Sequence, residues 1–327
     1  MPKLDLMFAH DMAHTDSTEM VKTAEVHGFR NAWVWDSTDV YDDYFVLSGI
    51  YAVNTSRIRI GPGVTNPRTR HPRVTANAML TIHEISRGRA ILGIGSGDHA
   101  VKTLGWRRAT LSEMKEAVQI WREKFRQKGA DIPIYAAIGG PMMDTFAFQY
   151  ADGIIGGGGN TPESLRRAYQ RIAARLKEAG RDIKKVPWLS MGMGCAISYD
   201  RREALDDARG PLARMLKGMI IDRPGTFPPA LEHLRADAER VAKAYDYMKH
   251  MKSHVPHAEL VTDALVEGLS VAGTPDEVLP KLKALWEEGK RLEAEEGADI
   301  CFSVGPPGKG KKRSFDLFVQ EILPHLN

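Results

Sequence analysis

Several residues in this chain are of types that do chemistry, and their positions say what kind. Asp36 ends an apolar run containing Trp33 and Trp35. A carboxylate at such a place can bind a substrate or exchange a proton with it; capping a loop is its plainer use. His10 and Asp11 end an earlier apolar run. An imidazole titrating near pH ~6.5 in water becomes an acid or base once it is positioned, although a lone histidine is more often structural. Gly139 and Gly140, then Gly156, Gly157, Gly158 and Gly159, each separate an apolar run from a helix start. Backbone N–H groups at such a junction, aligned with the helix dipole, favour a phosphate. Tight turns would need the same glycines.

Two further clusters invite a chemical reading. His250, His254 and His257 have spacings of four and three. A zinc site would need another ligand and supporting hydrogen bonds, so these histidines read as part of a polar insertion, with no metal. Lys309, Lys311, Lys312 and Arg313 form a basic loop, read as solvated or as an attraction for an anionic cofactor tail.

The elements that must hold these residues follow from periodicity. Apolar runs at Leu4–Ala9, Ala32–Trp35, Ile58–Val64, Ala90–Ile94, Ile132–Ile138, Gly153–Ile155, Val186–Ile197 and Ala298–Val304 predict eight strands alternating with helices. The helix over 110–128 repeats Leu111, Met114, Val118, Trp121 and Phe125, with Thr110 and Glu113 as a capping box. Thr161, Pro162 and Glu163 open another helix. A long polar helix is predicted over 230–251. The stretch 55–98 is the densest in chemistry. Gly61, Pro62 and Gly63 interrupt a strand there, as at a bulge or kink. Thr65, Asn66, Ser96, Gly97 and Asp98 lie just past two strand ends, where parallel α/β folds bind ligands.

These features predict one α/β domain over residues 1–327, a (β/α)8 TIM barrel with an insertion in the C-terminal half. A doubly wound open sheet is the runner-up, weakened because no GxGxxG follows the first strand. The chain has 327 residues, 43% hydrophobic and 27% charged, with net charge +3 and no concentrated basic face, so nothing points to nucleic acid. No apolar run is long enough to span a bilayer, and the N-terminus lacks a signal-like core. Two distant cysteines, Cys195 and Cys301, give no disulfide framework, and a reducing cytoplasm is the simplest location.

The segments TSRIRIGPGVTNPRTRHP, SRGRAILGIGSGD, IPIYAAIGGPMM, ADGIIGGGGNTPE and GTPDEVLPKLKAL, in this order, resemble the bacterial-luciferase-like superfamily, nearest to its methylenetetrahydromethanopterin-reductase branch. The resemblance implies a barrel that binds FMN or the deazaflavin coenzyme F-420. It implies a non-proline cis bond at Gly63–Val64 propping the ring, and Thr65, Asn66 and Ser96 along the ring's polar side. It implies a phosphate at the glycine loops and a homodimer through the early helices. Deazaflavin relatives often carry histidine after the acid of the second strand; here Ser37 follows Asp36. The main expectation is therefore a two-component monooxygenase acting on a small organic substrate. It would use reduced FMN from a separate flavin reductase, with O2, and Asp36 and His10 as catalytic residues. The alternatives are an F-420-dependent reductase or dehydrogenase and a non-catalytic flavin-binding protein.

Overall fold

The computed structural model describes residues 2–252 and 254–326. The chain folds into two compact units, residues 1–192 with 288–303, and residues 193–287 with 304–327.

The first unit holds a sheet of eight strands. They are β1 (Lys3–Phe8), β2 (Asn31–Val34), β3 (Arg59–Pro62), β4 (Leu92–Ile94), β5 (Ile134–Ala137), β6 (Gly153–Ile155), β7 (Trp188–Ser190) and β10 (Ile300–Val304). Their order is β3-β2-β1-β10-β7-β6-β5-β4. Parallel bridges Ile60–Ala90 and Thr65–Ile94 join the two ends and close the barrel. Closure needs two glycines. A Cβ on Gly61 would lie 2.2 Å from the Ile91 carbonyl oxygen, and one on Gly93 2.2 Å from that of Pro62, distances at which only glycine lets strands meet. The strands are buried on both faces, as parallel strands under helices must be.

Local signals set the helix starts. Thr110 and Glu113 form the expected capping box of helix Leu111–Gln127. Thr161 caps helix Pro162–Glu178, with Pro162 in its first turn. Asp43 caps helix Tyr44–Asn54 through Phe45 N and Val46 N.

At the N-terminal ends of β3 and β4 two charged side chains replace missing backbone partners. Arg89, 9% exposed, donates from Nε to Ser86 O, from Nη1 to Thr55 Oγ1 and Ile58 O, and from Nη2 to Ala52 O and Thr55 O. The Glu25 carboxylate accepts from Ser56 N, Arg57 N and Ile58 N. Burial alone would raise the Glu25 pKa; the N–H groups of Ile58, Arg57 and Ser56 outweigh it and hold the carboxyl below its usual value. A carboxylate depressed in the folded state stabilises above its unfolded pKa, and that stabilisation is lost as pH falls through the folded one. Glu25→Gln should therefore lower the urea midpoint at neutral pH, and the gap to wild type should close below pH ~4. A gap independent of pH would contradict this.

The second unit carries the insertion. β8 (Cys195–Ile197) pairs in parallel with β9 (Val271–Gly273), and helices Arg201–Lys217, Arg235–Ala244 and Asp263–Leu269 bury Leu205, Leu212, Leu216, Val241, Leu265 and Val266 around it.

Two expectations are corrected here and one strand is added. The run 186–197 is not one strand: Trp188–Ser190 is in the barrel and Cys195–Ile197 in the second sheet. β9, three residues long, was not anticipated. The long helix over 230–251 is a 3-10 turn at Pro229–Leu234, a helix at Arg235–Ala244 and a turn at Tyr247–Lys249; Tyr245, at φ −64° and ψ 121°, is extended and ends the helix. No described helix is long and apolar enough to cross a membrane.

Candidate active site

The C-terminal ends of β2, β3 and β4 assemble the site. The Gly63–Val64 peptide is cis, at the position expected. Gly63 N donates to Val34 O at 2.8 Å, and Thr65 N donates to Gly93 O at 3.0 Å, so the bulge is tied to a strand on each side. A Cβ on Gly63 would stand 2.7 Å from Trp33 Cβ and 3.0 Å from Met7 Cε; the bulge rests directly on those side chains. Val64 is half-buried above them.

Thr65 is fully buried, and its hydroxyl donates to Asp36 Oδ2 at 2.5 Å. Burial, the largest influence, pushes the Asp36 pKa up. Asp43 adds to this, while the Thr65 hydrogen bond and Arg70 act against it without cancelling it. Asp36 is thus a carboxyl at a strand end that keeps its proton to higher pH than an exposed aspartate, a property common among catalytic acids. Arg70 pairs with Asp43 and stacks its guanidinium 4.5 Å from the Phe45 ring centroid. His71 caps helix Pro72–Ile85, Nδ1 accepting from Arg73 N.

His10 stands elsewhere. It is 1% exposed, with Nδ1 2.8 Å from Asp42 Oδ2 and Nε2 2.9 Å from Ser17 Oγ, which also accepts from Tyr51 OH. Both nitrogens are engaged by side chains of the same chain, so His10 ties β1 to the loop that follows Asp36. Asn66 Oδ1 accepts from Arg68 N and Thr69 N, closing its own turn. Ser96 O accepts from Ala109 N, and the Ser96 side chain is left half-buried. Gly97 has φ 79° and no space for a Cβ beside Val101. Asp98 pairs with Lys102 and Arg108.

The glycine loops follow β5 and β6. Gly139 N and Gly140 N both donate to Asp144 Oδ1, at 3.0 and 3.3 Å, and Asp144 Oδ2 pairs with Arg171 at 2.9 Å. The N–H groups read as an anion site thus meet a carboxylate from the first turn of helix Pro141–Tyr150. Gly156, Gly157 and Gly158 have φ of 117°, 73° and 104°, and a Cβ on Gly158 would strike Ser190 Oγ at 2.1 Å; this turn admits glycine only.

In the second unit His250 Nδ1 meets Tyr245 OH at 2.6 Å, and His257 Nδ1 accepts from Asp246 N at 3.4 Å. Among the described residues no three His, Cys, Asp or Glu side chains converge as metal ligands. His254 lines a cleft of about 490 Å³ with Arg202, Asp206, Arg209, Glu259 and Asp263, in which arginines and aspartates pair with one another. None of these residues belongs to the barrel unit. In the basic loop Lys309 is exposed, Asp207 accepts from Lys309 N, Gly310 N and Arg313 Nη2, and Lys311, 6% exposed, donates to Gly308 O.

The sequence offered no signal for the Arg70–Asp43 and Asp144–Arg171 pairs, because the partners are 27 residues apart and join different elements. The Asp36–Thr65 contact was equally hidden, although both residues stood out singly.

Residues 8–291 match the model of the luciferase-like monooxygenase family. The chain belongs to that family. Among family relatives, the 5,10-methylenetetrahydromethanopterin reductase of Archaeoglobus fulgidus is 32% identical, over 99% of this chain and 99% of its own. The solved coenzyme F420 dependent tetrahydromethanopterin reductase from Methanopyrus kandleri superposes with a TM-score of 0.74 at 26% identity, over 100% of this chain and 99% of that one. The long-chain alkane monooxygenase LadA has a TM-score of 0.60 at 15% identity, over 100% of this chain and 91% of its own, a likeness of fold. The chain is an oxidoreductase within the luciferase-like family. The expectation of a two-component monooxygenase on reduced FMN and O2 is overturned: the end-to-end relative is a reductase, while the monooxygenase shares the barrel. Ser37 in place of a histidine is a small departure beside a match along 99% of each chain.

Proposed function

We propose that this chain is a coenzyme F420-dependent reductase of the methylenetetrahydromethanopterin reductase type. The end-to-end match at 32% identity to an enzyme of that name carries the reading. The site supports it. The cis bulge at Gly63–Val64 offers Val64 as a prop for a planar ring system, with Trp33 and Met7 behind it. A carboxylate already fits the Gly139 and Gly140 N–H groups beside Arg171, so a coenzyme phosphate has a cradle if Asp144 yields it. The deazaflavin supplies hydride transfer when bound. The protein positions it, excludes water, and keeps on Asp36 a proton that Thr65 Oγ1 orients, for a substrate atom that gains or loses charge. Titration of the protein with F420 and with FMN tests the cofactor. F420 should bind at least ~10-fold tighter, or ~1.4 kcal/mol, and oxidise or be reduced in the presence of the methylene- or methyl-tetrahydropterin. Equal or tighter binding of FMN would overturn the reading.

A homodimer is also proposed. Helix Tyr44–Asn54 has no charged residue, yet Val46 is 68% and Val53 70% exposed, and helix Pro72–Ile85, its neighbour, exposes Val74 and Ile85. An apolar face of this kind on a chain that is 27% charged suits a second copy of itself. Val46→Asp with Val53→Asp should convert a dimer to a monomer in sedimentation velocity. A wild type that is monomeric at micromolar concentration would rule the interface out.

A further inference from the structure

Asp5 sits on β1 with 0% exposure, and its carboxylate accepts from three groups: Asn31 N at 3.2 Å, Asn31 Nδ2 at 2.7 Å and Trp33 Nε1 at 2.7 Å. Arg30 Nε lies 3.6 Å away as counter-charge. A charge this deep is costly unless paired and hydrogen-bonded, and the barrel interior here is otherwise filled by Met7, Ile91, Tyr135, Ile155, Leu189 and Cys301.

The indole that Asp5 grips is the one the site stands on. The Trp33 ring begins under Gly63, where a Cβ would lie 2.7 Å from Trp33 Cβ and 3.5 Å from its Cγ. It ends under Gly93, where a Cβ would lie 3.1 Å from Cζ3. Gly93 O in turn accepts from Thr65 N, and Thr65 orients Asp36. Tyr135 closes the far side, with ring centroids 5.5 Å apart. The indole packs in a cluster with Met7, Ile91, Tyr135, Ile155 and Leu189; the 2.7 Å hydrogen bond from its single N–H adds a directional restraint on rotation that apolar contacts lack. We propose that Asp5 is a positioning residue for the active site: by holding the Trp33 indole it sets the height of the Gly63–Val64 bulge, and hence the seat of the cofactor ring and the placement of Thr65. Both residues are fully buried and act through the bulge.

This rests on the proposed coenzyme site, and the experiment separates the two. F420 binding, its bound absorption spectrum and steady-state KM and kcat are measured on the wild type, Asp5→Asn, Trp33→Phe and the remote Arg89→Lys. Asp5→Asn keeps one acceptor oxygen; Trp33→Phe keeps the ring and loses the N–H. Both should weaken F420 binding by tenfold or more, raise KM for the coenzyme and shift its bound spectrum. Arg89→Lys, which loosens the opposite end of β3 and β4, should lower the unfolding midpoint and leave the bound spectrum unchanged. If the wild type does not bind F420, the cofactor reading fails. If it binds and both barrel variants match it in affinity and spectrum, the positioning role fails. If all three variants lose affinity in proportion to lost stability, Asp5 is structural only and the proposal is overturned. Should Asp5→Asn not fold, Trp33→Phe alone decides.

Discussion

Asp36→Asn should cut turnover by a factor of about 10²–10⁴, the usual range for removing a positioned acid or base, with coenzyme affinity unchanged. Its side chain keeps the shape of the acid and can still accept from Thr65 Oγ1, so the loss would be of the proton and not of the fold. The pH dependence has a definite sign. Burial, reinforced by Asp43, raises the Asp36 pKa above that of an exposed aspartate. In the direction that needs a proton donor, wild-type rate should hold at low pH and fall as pH rises through that raised value; the reverse direction should gain over the same interval. The variant should lack both limbs. Stability should run with this. A carboxyl whose pKa is raised by folding stabilises the fold most below its unfolded value, and that contribution is lost as pH rises through the folded one. At neutral pH Asp36→Asn should therefore be as stable as wild type or more so. A variant that keeps turnover within tenfold of wild type would remove Asp36 from the mechanism.

Arg89→Met should cost about 3 kcal/mol or more of stability, read from the urea midpoint of the barrel's unfolding. The reason lies in the arithmetic of partners. The guanidinium satisfies four carbonyls and one hydroxyl of the segments leading into β3 and β4. Methionine replaces the aliphatic stem and none of the five bonds, so buried acceptors are left without donors. Burial, helped by the nearby Arg87 charge and opposed by Glu25, lowers the Arg89 pKa, in keeping with a cation solvated by carbonyl oxygens. A loss below about 1 kcal/mol would mean that water replaces the guanidinium at each acceptor.

Much of this architecture is written locally. Eight apolar runs of strand length, separated by helical periodicity, determine the barrel, because strands buried on both faces must be apolar throughout and helices must show a stripe. Thr110 with Glu113, and Thr161 with Pro162, determine where their helices begin, because a cap is satisfied within four residues. The Gly61–Pro62–Gly63 break marked the bulge, since glycine inside a strand signals close backbone approach. The tertiary structure decided what depends on partners distant in the chain. Whether Val186–Ile197 stays in one sheet depends on Val271–Gly273 arriving to pair with its second half, and three residues carry no period to read. His10, equally eligible by type for catalysis, is committed to Asp42 and Ser17 once β1 and helix His14–Val26 are packed. Lys309 N and Gly310 N receive Asp207, 102 and 103 residues away, because folding brings a carboxylate to N–H groups that the sequence leaves open. Asp36 acquires a raised pKa only when folding buries it beside Asp43, against the opposing hydrogen bond from Thr65, 29 residues on. Residue type sets what chemistry is available; burial and the partner across the barrel set which residue uses it.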